Sequence, residues 1–139
     1  MSQTPVATPN GPASGARVSR LADRRGALLT IEERRVGRRA VLSVVGEVDI
    51  GTAANLRTAC DTAATRAFEI WVDLSGTTFM DASGLHAIAR VRARLADANI
   101  RLVLICPDGP VLRVLQLTGL DRFFEIHASR SDANYAAHA

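Results

Sequence analysis

Three side chains able to move a proton or attack a carbonyl lie between Asp81 and His86, in the stretch FMDASGLHA that runs from Phe79 to Ala87. Asp81, Ser83 and His86 supply the acid, hydroxyl and imidazole of a nucleophilic triad. Their spacing argues against one. Ser83 and His86 stand three apart at the start of a helical pattern, and no third group is placed to orient the imidazole. The nucleophile-elbow pattern GxSxG is absent, as are GxxxxGK[ST], GxGxxG and HExxH. His86, His127 and His138 do not combine with Cys60 and Cys106 into any metal-ligand spacing. The expectation is a protein that is not an enzyme, with no catalytic residue, no metal and no cofactor.

Cys60 and Cys106 are too few for a disulfide framework. Two reduced, buried thiols are the default in a cytosolic protein. They also form a redox candidate pair, provided that the helix carrying Cys60 covers the strand ending in Cys106. A bridge needs their Cα atoms within about 7 Å.

A length of 139 residues favours one domain, and a hydrophobic share of 47% can build its core. The longest apolar runs, such as LVLIC, are strand-length and cannot span a membrane. No charged segment leads into an apolar one as in a secretory signal, so the expected location is the cytoplasm. The net charge of +3 resides entirely in residues 1–26, where Arg17, Arg20, Arg24 and Arg25 face Asp23 alone. The rest is electrically balanced, which gives no support to a basic nucleic-acid face on the domain.

These residues must be positioned by a small set of elements. Residues 1–26 hold three of the five prolines and no apolar periodicity, and read as a disordered basic leader. ALLTIEERRV and RAVLSVVGEV form two strands around a Gly37-Arg38 turn, an antiparallel hairpin. A helix follows, with Thr52 as N-cap and Leu56 and Cys60 on its inner face. FEIWVDLSG is a central strand with both faces covered, because Trp71 is apolar on the side opposite Ile70 and Val72. A second helix runs from about Ser83 to Ala98, ending at Asn99. NIRLVLICP is an internal strand. A short helix between Pro110 and Gly119 and a final strand with Phe123, Phe124 and Ile126 complete the domain, residues 27–128. Residues 129–139 form a tail or a short helix capped by Ser131 or Asp132. The fold class is α/β: a small sandwich with a mixed β-sheet, in which an antiparallel edge hairpin joins parallel βαβ units and the helices lie mainly on one face.

At the start of the second helix, Ser83 is a good residue to accept a bond from an unpaired backbone N–H, and Gly84 permits a tight corner. The same place tolerates a phosphate, since the N–H groups and the macrodipole favour an anion. A charge of about −1.5 to −2 added there changes what docks rather than what folds.

Three segments carry a resemblance: GEVD (46–49), VDLSGTTFMDASGL (72–85) and GPVLRVLQLTGL (109–120). Together they resemble the STAS domain family, of the bacterial anti-sigma-factor antagonist type, from Ala27 to about Ile126. The resemblance implies a transcription regulator that switches partners. Unphosphorylated, such an antagonist binds an anti-sigma factor, usually an ATP-binding serine kinase, and frees the sigma factor. Phosphorylation at the start of the second helix separates the pair. The implied partner-binding residues are Asp49, Asp81, Ala82, Ser83, Gly84, Leu85 and His86, with Leu85 and His86 expected at the exposed edge. No direct nucleic-acid partner is implied, and a weak homodimer is left open. The family's pattern places its acceptor hydroxyl directly after the acid, where this chain has Ala82. Three consequences stay open: constitutive partner binding, a displaced phosphorylation site at Ser83, or control through Cys60 and Cys106. A STAS subunit of a lipid-transport ABC complex is the alternative function.

Overall fold

The computed structural model describes residues 17–22 and 28–137. The elements run β1 (Arg17–Ala22), β2 (Leu28–Val36), β3 (Arg39–Val48), α1 (Ala53–Ala64), β4 (Glu69–Asp73), β5 (Thr77–Met80), α2 (Ala82–Asp97), β6 (Arg101–Ile105), α3 (Pro110–Leu117), a 3-10 turn (Leu120–Phe123), β7 (Glu125–His127) and α4 (Arg130–Ala137). The sheet is mixed, in the order β1-β2-β3-β4-β6-β7, with β5 beside the far end of β3. β1, β2 and β3 pair antiparallel, whereas β3–β4, β3–β5, β4–β6 and β6–β7 are parallel.

The expected hairpin is present, and Gly37 turns it at a φ of 62°, a conformation that suits glycine. Three expectations need correction. Arg17–Ala22, expected within the disordered leader, forms β1, in register from Arg17↔Glu33 to Ala22↔Leu28. Backbone pairing along the open edge of β2 holds it, and such pairing needs no apolar periodicity. The remaining leader residues lie outside the described residues. The strand expected over residues 68–76 ends at Asp73, and a separate strand, β5, takes its place beside β3. Gly46, with a φ of 119°, marks the handover: the register shifts there, and its N–H donates to Gly76 O at 3.0 Å. Finally, Phe123 and Phe124 precede the last strand rather than join it.

The main core lies between the sheet and α1, α2 and α3, and includes Leu29, Leu42, Val44, Leu56, Ile70, Ile88, Leu104 and Leu115. A smaller apolar cluster covers the opposite face: Val41, Trp71, Val103 and Ile105, closed by Ala133 of α4. Both faces of β4 are therefore buried, as its sequence requires. The expected short C-terminal helix is α4, but Ser129 is its cap, its Oγ accepting from Asp132 N at 3.0 Å. Arg130 Nε donates to Asp73 Oδ2 at 2.6 Å, and Arg39 reaches Asn134 Oδ1 at 3.1 Å. The Arg39 guanidinium also lies 3.8 Å from the Trp71 ring centroid. Among the described residues, no helix is long and apolar enough to cross a membrane.

Candidate functional site

The parallel strands deliver their loops to one end of the sheet. There β3 ends in the turn to α1, and β5 hands over to α2. The first loop is stiffened from inside. Asp49 is 2% exposed, and its Oδ1 accepts from Gly51 N at 2.9 Å. Thr52 occupies the expected N-cap position of α1 without making a cap bond. Its hydroxyl instead accepts from Asp49 N at 3.0 Å and donates to Glu47 O at 3.0 Å. With Asp49 and Thr52 buried, the loop presents Ile50 outward at 84% exposure.

β5 is buried at both ends and exposed between them. Thr77 and Met80 are buried, and Thr77 Oγ1 donates to Val44 O at 2.8 Å. Phe79 remains 44% exposed. Asp81 N then donates to Val48 O at 3.2 Å, which ties the start of α2 to the end of β3. Asp81 has extended backbone angles, and its Oδ1 accepts from Gly84 N at 3.1 Å. Asp81, not Ser83, is the N-cap of α2. This corrects the expected helix start by one residue and removes the capping role assigned to Ser83. A carboxylate on an extended residue reaches the N–H three positions on, which a serine already inside the helix cannot do. Ser83 is half-buried in the first turn, and among the described residues its hydroxyl has no hydrogen-bond partner.

Gly84 also has a different role from the one expected. Its φ is not positive, so no special corner is needed. A Cβ there would sit 2.6 Å from Met80 Cγ, 2.9 Å from Val48 Cγ1 and 3.0 Å from Val48 O. The glycine lets the helix press against β3 and β5. Leu85, expected at the exposed edge, is 8% exposed and belongs to the core. The apolar stripe of α2 points inward from its first turn, and Leu85 opens that stripe.

The predicted partner-binding set therefore divides. Asp49, Gly84 and Leu85 build the corner from beneath. Asp81 is partly exposed, Ala82 and His86 are exposed, and Ser83 is half-exposed. Sequence reasoning missed Ile50 and Phe79, which add exposed apolar surface from the β3–α1 turn and from β5. An apolar residue directly after the buried Asp49, in a turn, was the available signal for Ile50. Between α1 and α2 runs a shallow groove of about 240 Å³. Ile50, Ala53, Ala54 and Arg57 form one wall, and Ser83, His86, Ala87 and Arg90 the other.

The two thiols are not at this corner. Cys60 and Cys106 are free and buried. Burial pushes Cys60 up to about 12 and Cys106 up to about 11, with Asp61 and Asp73 adding smaller contributions in the same direction. α1 packs on β2, β3, β4 and α2, while α2 is the helix packed on β6, which leads to Cys106. The condition for the redox pair, α1 covering the Cys106 strand, is not what the packing shows. Thiols of this kind are poor nucleophiles.

Residues 30–133 match the STAS domain model, and the chain belongs to the STAS domain family. Its relatives include the anti-sigma-F factor antagonist RsfB of Mycobacterium tuberculosis, 30% identical over 95 residues, 68% of this chain and 77% of that one. Among solved structures, an anti-sigma factor antagonist from Mycobacterium paratuberculosis superposes with a TM-score of 0.74 at 26% identity, covering 86% of this chain and all of that one. The Bacillus antagonist SpoIIAA in its unphosphorylated form shares the fold, with a TM-score of 0.64 at 21% identity over 78% of this chain and 97% of that one.

Proposed function

We propose that this protein is an anti-sigma-factor antagonist that acts in the cytoplasm by binding an ATP-binding, kinase-type anti-sigma factor and so releasing a sigma factor. Membership of the family and the antagonists among its relatives support the reading. The observation that carries it at the level of the site is the α2 corner. Ile50 in the β3–α1 turn and Phe79 in β5 expose apolar surface, and Ala82 and His86 are exposed at the start of α2, on a base fixed by Asp49, Thr52 and Gly84. A rigid, partly apolar projection with no catalytic set is built to dock, not to react. Nothing at the corner favours the alternative, a STAS subunit of a lipid-transport ABC complex.

Phosphate control takes a specific form under this reading. Ala82, the exposed first residue of α2, has no side-chain oxygen. Ser83, one position on, has a hydroxyl free of capping duty, because Asp81 performs that role. Ser83 is the acceptor that a partner kinase would use at this corner. Incubation with the purified cognate anti-sigma factor and ATP, followed by intact-mass measurement, tests both parts. Complex formation supports the antagonist function, and its absence refutes it. A phosphate gained by the native protein and lost in Ser83→Ala assigns the acceptor. Stable binding with no phosphate gained makes the antagonist constitutive.

A further inference from the structure

The α1–α2 seam pairs residues of the two helices turn by turn. At one level Arg94 of α2 meets Asp61 of α1, with Nε 3.3 Å from Oδ1. One turn earlier on each helix, four residues before, stand Arg90 and Arg57. Both line the groove beside the corner, so an acid is replaced by a second cation at this level. His86 and Ser83 continue the same stripe of α2 toward its first turn. None of the groove's lining residues carries a carboxylate. Among the described residues, neither Arg57 nor Arg90 has an ion-pair or hydrogen-bond partner. Ala53 and Ala87, both buried, keep the floor low, and Ile50 forms an apolar lip at one end.

Two guanidiniums facing one groove repel each other until an anion bridges them, and a carboxylate satisfies two arginines with charge-assisted bonds. We infer that this groove receives an acidic segment of the anti-sigma factor: an Asp or Glu side chain that bridges Arg57 and Arg90, with an apolar neighbour against Ile50. The inference rests on the antagonist reading and names the partner chemistry of that surface. Charge complementarity selects the occupant, and the groove's continuity with the docking corner places it within reach of the same partner.

Arg90→Glu provides the test, because it sets an acid across from Arg57, the Arg94–Asp61 pairing with its charges exchanged between the helices. The variant is expected to melt no lower than the native protein while binding the purified anti-sigma factor about tenfold or more weakly, as for a broken interfacial charge pair. Arg57→Gln/Arg90→Gln, which adds no new charge, is expected to weaken binding and flatten its salt dependence. Charge reversal of the partner's acid to Arg is expected to restore binding to Arg90→Glu. Native binding accompanied by unchanged affinity in both variants overturns the inference and leaves the antagonist function standing. Failure of the native protein to bind removes the antagonist reading, and the inference with it. A Tm gain on Ser83 phosphorylation that disappears in Arg57→Gln/Arg90→Gln, with partner affinity untouched, assigns the groove to that phosphate and also overturns it.

Discussion

Replacing Asp81 and Ser83 separately measures which residue starts α2. Asp81→Ala removes the acceptor for Gly84 N at 3.1 Å. Loss of an N-cap of this kind costs about 1 kcal/mol. It also removes a negative charge from the positive end of the helix, worth about 0.3–1 kcal/mol. The sum is about 1.5 kcal/mol, and a domain of this size loses roughly 3–5 °C in Tm per kcal/mol. Asp81→Asn keeps an acceptor and loses only the charge, so about 0.5 kcal/mol is expected. Ser83→Ala removes a hydroxyl that holds nothing and introduces a better helix former, so its change stays within about 0.5 kcal/mol of zero. Thermal and urea unfolding of the three variants give the order directly. The reasoning is refuted if Ser83→Ala costs as much as Asp81→Ala, or if Asp81→Ala is neutral.

Gly84→Ala places a Cβ 2.9 Å from Val48 Cγ1 and 3.0 Å from Val48 O, so the helix must move outward. Overpacking of about 1–3 kcal/mol, offset by about 1 kcal/mol of helix preference, predicts a net loss visible in the melting curve. An unchanged or raised Tm would show that α2 can retreat freely. The buried thiols predict alkaline sensitivity. The native Cys60 thiol keeps its proton up to about 12, whereas the exposed thiol ionises near 9.0, so stability is intact below 9.0 and falls as pH rises toward 12. Urea midpoints across that range should fall less steeply for Cys60→Ala than for the native protein, and parallel curves would contradict the assignment.

Much of the architecture was legible in local pattern. The β2–β3 hairpin, the two-sided burial of Trp71, and the ends of α2 and α3 at Asn99 and Gly119 followed from periodicity and turn chemistry. What escaped depended on partners distant in sequence. β5 has four residues, and only its bond from Thr77 to Val44 and its pairing with β3 make it a strand. β1 is defined by the edge it covers. Asp81 and Ser83 are both good capping residues, and the choice between them rests on where the chain turns helical: Asp81 is still extended, and its carboxylate reaches Gly84 N three positions on. The groove was invisible because Arg57 and Arg90 meet only after α1 and α2 pack side by side, although the spacing of Ser83, His86 and Arg90 was present in the sequence as a single stripe.

The break between β4 and β5 also separates two kinds of change that this molecule can undergo. β4 lies between β3 and β6 over five residue pairs on each side, whereas β5 is joined to β3 alone over three. Backbone opening at the exposed Thr78 and Phe79 breaks pairing with β3 alone, and hydrogen exchange there is expected to run ahead of exchange in the centre of the sheet. Phe79 is exposed on a strand that pairs along one short edge, so an exchange of this side chain leaves the register of β4 and β6 in place.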